Sequence, residues 1–171
     1  MRLTIDEIAN AISARPSPSA GESLIFAGVS TDSRTVQPGD LFVALISPKA
    51  DGHQFIAQAL AAGAAGLVVS QDVDVRGGIP VFRVPDTQAA YGKIARVWRD
   101  KFDIPVIGVT GSVGKTTTKE MLAAALSPLG PILKTEASQN NETGVPKVLL
   151  QLNQAHKAAV VEMGMRGVGQ I

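Results

Sequence analysis

The chain has 171 residues, a net charge of +1 from 16 Lys and Arg against 15 Asp and Glu, and a hydrophobic content of 45%. That is enough to bury the core of one large or two small domains, and basic residues spread along the whole length form no nucleic-acid or anionic-membrane surface. Cysteine is absent, which excludes a disulfide framework and a thiolate metal site.

The N-terminus has no charged-then-apolar leader, and no apolar run reaches membrane-spanning length. A soluble, cytoplasmic protein is the expectation. In chain order, Thr4-Ile5-Asp6-Glu7 reads as a capping box opening a short amphipathic helix over 5–12. Residues 15–21 are a turn-rich break. Residues 24–30 predict a strand running into Thr31-Asp32-Ser33-Arg34, Pro38-Gly39 a turn, and 41–46 a second apolar strand. The polar loop 47–53 feeds a helix over about 54–62, with Gly63 at its end. Short strands follow at 67–70 and 81–84, separated by Gly77-Gly78.

A helix capped by Asp86 or Thr87 then runs to about Phe102. Its apolar stripe is Tyr91, Ile94, Trp98 and Phe102, and Lys93, Arg96 and Asp100 take the solvated face. The order β-β-α-β-β-α over about a hundred residues predicts a small α/β domain, 1–103. Asp103-Ile104-Pro105 is the expected boundary, and 104–171 the opening part of a mostly parallel, doubly wound domain. With so few strands its sheet cannot cover its helices, so the chain reads as part of a larger protein.

The second domain opens on IPVIGVTGSVGKTTTKE, residues 104–120. A buried parallel strand at Val106 to Val109 runs into a glycine-rich turn, then Lys115-Thr116 and a helical pattern through Met121, Leu122 and Leu126. That is the architecture of a phosphate-binding loop, although the strict pattern's first glycine falls on Val109. Gly111 and Gly114 let backbone N–H groups approach phosphate oxygens, and the helix N-terminus adds partial positive charge. Lys115 is placed to hold β/γ-phosphates and the Thr116 hydroxyl to ligate Mg²⁺. The alternative is an ordinary glycine-rich βα turn.

Downstream, 132–135 predicts a strand, 136–142 a polar stretch, and Gly144-Val145-Pro146 the start of a helix carrying Val148, Leu149, Leu150 and Leu152. Residues 158–161 predict a buried strand ending in Glu162. A carboxylate at the carboxyl end of a parallel strand can hold the second side of a nucleotide's Mg²⁺, or can mark the strand's exit into solvent. Asn140 and Asn141 are either turn formers or nucleotide contacts. Asp32-Ser33-Arg34 could read a nucleobase edge and a phosphate, though a surface turn is the default. His53 and His156 are isolated, with no metal-ligand spacing.

Six runs together are similar to the Mur ligases of peptidoglycan synthesis: TDSRTVQPGDLFVAL (31–45), DGHQFIAQALAAGAAGLVVS (51–70), VPDTQAAYGKIA (84–95), GVTGSVGKTTTKEM (108–121), QNNETGVPKVLL (139–150) and VVEMGMRGVGQI (160–171). The second-domain runs resemble the members that add D-alanyl-D-alanine, while the first domain also fits those adding the third peptide residue. The resemblance implies an ATP-dependent amide ligase that joins D-alanyl-D-alanine to a UDP-N-acetylmuramoyl-tripeptide through an acyl phosphate. It implies ATP bound by Thr110, Gly111, Ser112, Val113, Gly114, Lys115 and Thr116, with Asn140 and Asn141 nearby and Lys115 catalytic. Mg²⁺ would sit on Thr116 and Glu162. The UDP end would be held by Thr31, Asp32, Ser33, Arg34, Lys49, Asp51, Gly52 and His53. Gln170 stands where relatives often carry Glu. A monomer inactive without the remainder of the family's length is expected, with no nucleic-acid partner. A non-catalytic nucleotide-binding module is the rival of another class.

Overall fold

The structure, a computed structural model, describes residues 1–18, 24–48, 50–75, 77–136 and 139–164. Lys49, part of the turn-rich break and the run after Gly164, with Gln170, lie outside the described residues. The chain divides into two compact units, Met1–Ile94 and Ala95–Ile171.

In the first unit Thr4 caps α1 (Ile5–Ile12): its hydroxyl accepts the Glu7 N–H at 3.2 Å, and the Glu7 carboxylate accepts the Thr4 N–H at 2.8 Å. The strand expected over 24–30 is two strands. β1 (Leu3–Thr4) pairs antiparallel with β3 (Ile25–Phe26), and β4 (Gly28–Ser30) joins the main sheet. The break falls at Ala27, where the chain leaves one ladder for the other and the N–H bonds to the Gly39 carbonyl at 2.9 Å. β2 (Pro16–Ser17), a short strand with no sequence signal, lies antiparallel at the sheet's edge.

β5 (Asp40–Val43) is shorter than the apolar run that encodes it. The Leu45 N–H turns back to the Val43 carbonyl at 3.0 Å, which ends the ladder. The chain then makes an antiparallel pair, β6 (Ile46–Ser47) with β7 (Ala50–Asp51). The expected helix over 54–62 starts as a 3₁₀ turn, Gly52–Phe55, and continues as α2 (Ile56–Ala61). With β8 (Gly66–Val69) and β9 (Val81–Arg83) the main sheet has the order β2-β9-β8-β5-β4, and β9, β8, β5 and β4 are parallel. Leu41, Phe42 and Val43 are all buried, as a strand covered on both faces requires. Phe42, Leu67 and Val69 cluster with Ile56 and Ala59 of α2. Phe26 and Phe82 meet edge to face at 6.4 Å.

α3 (Thr87–Arg99) buries Tyr91, Ile94 and Trp98 as its stripe predicts, and leaves Lys93, Arg96 and Asp100 exposed. The division between units falls inside this helix. Its last turn belongs to the second unit, where Trp98 meets Phe102 edge to face at 5.1 Å and donates its indole N–H to the Leu152 carbonyl at 3.0 Å.

The second unit contains β10 (Val106–Val109), α4 (Lys115–Leu126), β11 (Ile132–Lys134), α5 (Gly144–Leu149) and β12 (Ala158–Glu162). The three strands are parallel in the order β10-β12-β11. Ala158 to Val161 are at most 2% exposed. Met121 is not on the packed face of α4 and is 68% exposed. The face turned inward carries Lys119, Leu122, Ala123 and Leu126, at helical spacing from one another. Among the described residues no helix is long and apolar enough to cross a membrane.

Candidate active site

Parallel strands deliver their following loops to one edge of the sheet, and in the second unit that edge is crowded with polar groups. Val109 is level with Glu162 and Lys134 with Val160, so Thr110, Met163 and Thr135 emerge together. The glycine-rich turn starts at Thr110 and is exposed throughout, with Val113 at 86%. Gly111 and Gly114 adopt φ of 144° and 76°, left-handed values that a side chain would strain. Gly114 is the N-cap of α4 and has no side chain to occupy the helix's free N–H groups. Those donors and the helix dipole face the open turn, which suits an anion. The Lys115 ammonium donates to the Gly111 carbonyl at 2.7 Å, inside the same turn.

Beside the turn stands Glu162, a carboxylate only 6% exposed. The Thr116 hydroxyl donates to its Oε2 at 3.1 Å, and the Asn140 amide to its Oε1 at 2.8 Å. Its own N–H donates to Thr135 Oγ1 at 2.8 Å. Two adjacent oxygens of an octahedral Mg²⁺ shell, each about 2.1 Å from the ion, lie about 3 Å apart. The Thr116–Glu162 spacing matches that edge. Among the described residues no three His, Cys, Asp or Glu side chains gather as a metal cage. A site with one hydroxyl and one carboxylate, completed by water and phosphate, is the mode Mg²⁺ favours.

The two asparagines part company. Asn140 reaches Glu162, and its carbonyl accepts the Gly164 N–H at 2.6 Å. The Asn141 side chain accepts the N–H groups of Thr143 and Gly144, at 3.2 and 2.8 Å, and so anchors the start of α5. Two further residues at this edge had no role in the sequence reading. Lys119 is 3% exposed and donates to the Thr135 carbonyl at 2.7 Å; Thr135 is 1% exposed. The available signal was spacing: Lys119 lies one helical turn beyond Thr116.

In the first unit, Thr31 to Arg34 follow β4, the β6–β7 pair with Gly52 and His53 follows β5, and Ser70 follows β8, all at that sheet's carboxyl edge. The Asp32 carboxylate accepts the Arg34 guanidinium at 2.9 and 2.6 Å, and this bonding holds the Arg34 pKa above its ordinary value. The Ser33 hydroxyl is buried and donates to Gln58 Oε1 at 2.9 Å. His53 Nε2 accepts the Ser70 N–H at 3.0 Å, which leaves the ring proton on Nδ1, 2.6 Å from Asp51 Oδ1. The His53 N–H bond to Asp51, followed by the ring contact, holds that carboxyl below the usual range. A Cβ on Gly52 would lie 2.7 to 2.9 Å from backbone atoms of Ala44 and Leu45, so any side chain there forces the backbone to shift. Lys49 lies outside the described residues.

A glycine-rich turn opening a helix at a parallel sheet's carboxyl edge, flanked by a hydroxyl–carboxylate pair, has the architecture of the phosphate-loop class of α/β proteins. Family comparison narrows the class. The chain belongs to the Mur ligase family, whose catalytic domain matches residues 25–124 and whose middle domain matches residues 109–170. Over 151 residues it is 53% identical to the UDP-N-acetylmuramoyl-tripeptide–D-alanyl-D-alanine ligase of Synechocystis sp., covering 88% of this chain and 33% of that protein. Among solved structures it is similar to MurF from Acinetobacter baumannii, with a TM-score of 0.90 and 36% identity over 99% of this chain and 37% of that one. It is also similar to the MurF ligase from Thermotoga maritima in complex with ADP, with a TM-score of 0.71 and 35% identity over 80% and 31%. The chain spans about a third of the length of the curated relatives it matches.

Proposed function

We propose that the protein carrying this chain is an ATP-dependent amide ligase joining D-alanyl-D-alanine to a UDP-N-acetylmuramoyl-tripeptide. Residues 1–103 hold the UDP end of the substrate, through Thr31 to Arg34 and the segment from Lys49 to His53. Residues 104–171 hold ATP, through Thr110 to Thr116, with Asn140 beside the nucleotide and Asn141 fixing the loop that presents it. The observation that carries the reading is the Thr116–Glu162 pair at 3.1 Å beside an open glycine-rich turn. The 53% identity to a ligase of that specificity supports the choice of substrates.

In the proposed reaction the tripeptide's terminal carboxylate takes the γ-phosphoryl group of ATP, and ADP leaves. The amine of D-alanyl-D-alanine then attacks the acyl phosphate, and phosphate leaves. The chain's part is positioning and charge. Turn N–H groups and the α4 N-terminus hold the phosphates in place, and the Lys115 ammonium follows the charge on the migrating group. Thr116 and Glu162 would hold Mg²⁺, which supplies neutralisation of the β/γ oxygens when bound. The reading places the enzyme in the cytoplasm, as a monomer with small-molecule partners.

Phosphate release from the full-length protein tests it. Release that needs ATP, the UDP-tripeptide and D-alanyl-D-alanine together is expected. Binding of nucleotide without turnover under any combination would contradict it.

A further inference from the structure

The metal-site reading leaves one buried charge unexplained. Lys119 is 3% exposed, on the same helix as Thr116 and one turn further on. Its ammonium donates to the Thr135 carbonyl at 2.7 Å and pairs with Glu120 Oε1 at 3.1 Å and Glu162 Oε2 at 3.9 Å. A surface lysine would have served if solubility were its purpose; burying an ammonium is unfavourable unless its partners are well placed.

Glu120 is its neighbour on the helix, and its other two partners, Thr135 and Glu162, are bonded to each other. Thr135 accepts from Lys119 through its carbonyl and from the Glu162 N–H through its hydroxyl, at 2.7 and 2.8 Å. The Thr135 N–H is also tied to β12, at 3.1 Å from the Val160 carbonyl. Lys119 therefore staples α4, which carries Thr116, to the loop end that fixes the backbone of Glu162. We propose that Lys119, acting through Thr135, is a positioning residue that sets the Thr116–Glu162 spacing for a divalent cation. The proposal rests on the reading of that pair as the metal site and extends it to a residue that never touches the ion.

The test is equilibrium ATP binding to the full-length protein, by calorimetry, over a Mg²⁺ titration. Lys119→Met should raise the Mg²⁺ concentration for half-maximal effect about tenfold, the scale of lost support around metal ligands. Binding of ATP without Mg²⁺ should stay within about twofold, since the turn and Lys115 are untouched. Thr135→Val, which keeps the shape and removes the hydroxyl, should shift the Mg²⁺ requirement the same way. If Lys119→Met does not fold, Thr135→Val carries the test.

In a Glu162→Gln background Lys119→Met should add less than about twofold, because a residue acting through Glu162 has nothing left to position. A lysine that merely competes with the cation gives the opposite sign: its removal would lower the Mg²⁺ requirement. That result, no shift in either variant, or additive losses in the double variant would overturn the proposal. A shift with Glu162→Gln and none with Lys119→Met overturns the proposal alone. No shift with Glu162→Gln overturns the metal reading beneath it.

Discussion

The Thr116 hydroxyl and the Glu162 carboxylate meet at 3.1 Å across 46 residues of sequence, one at the start of α4 and the other at the end of β12. If the pair is a cation edge, either partner is separately necessary. Thr116→Val and Glu162→Gln keep side-chain volume and should each raise the Mg²⁺ needed for ATP binding about tenfold or more. Thermal midpoints should move by only a few degrees. Metal titration monitored through nucleotide binding checks this, and an unchanged requirement in both variants contradicts it.

Arg34 is 79% exposed, and its partner Asp32 is also open to solvent. Such a pair adds little to folding, but a bidentate guanidinium suits a phosphate. Arg34→Ala should weaken binding of the UDP-tripeptide about tenfold while leaving ATP binding and the unfolding midpoint unchanged. Calorimetric titration with each ligand separates these effects.

Gly52 is the point where the chain after the β6–β7 pair passes the backbone of Ala44 and Leu45, and its N–H bonds to the Leu45 carbonyl at 2.8 Å. The contacts are backbone atoms that cannot swing aside. Gly52→Ala should cost about 1–3 kcal/mol, as overpacking does, and displace His53 with it. Denaturant unfolding checks the stability loss; a variant as stable as the parent would contradict the close approach.

Asp51 accepts the His53 N–H, the His53 ring and the Gln71 amide, and its pKa is lowered, chiefly by the first of these. A carboxyl with a lowered folded pKa contributes stability that is present above its unfolded value and lost as pH falls through the folded one. Asp51→Asn should therefore lower the thermal midpoint at pH 7, and the gap to the parent should narrow below about pH 4. Midpoints at pH 7 and pH 3 check the sign; a gap that widens on acidification contradicts it.

Much of the fold was legible because its signals are local. The capping box at Thr4, the stripe of α3 and the apolar run of β12 each report their own neighbourhood, and each forms as read. The glycine-rich turn before α4 was legible for the same reason: the positive φ of Gly111 and Gly114 is written in the residues themselves. What stayed hidden depends on distant partners. Ala27 breaks a strand because β1 and β5 compete for opposite ends of one apolar run. Asn140 and Asn141 are chemically identical, and only the approach of Glu162 distinguishes them. Nothing local marks Lys119 until Thr135, just past β11, and Glu162, at the end of β12, supply its partners.

The most direct measurement is phosphate release by the full-length protein and its Lys115→Ala variant, with ATP, UDP-tripeptide and D-alanyl-D-alanine supplied together and one at a time. The account predicts release only with all three, about 10²- to 10³-fold slower in the variant, with UDP-tripeptide binding retained. Release that ignores either peptide substrate, or that survives Lys115→Ala undiminished, would contradict it.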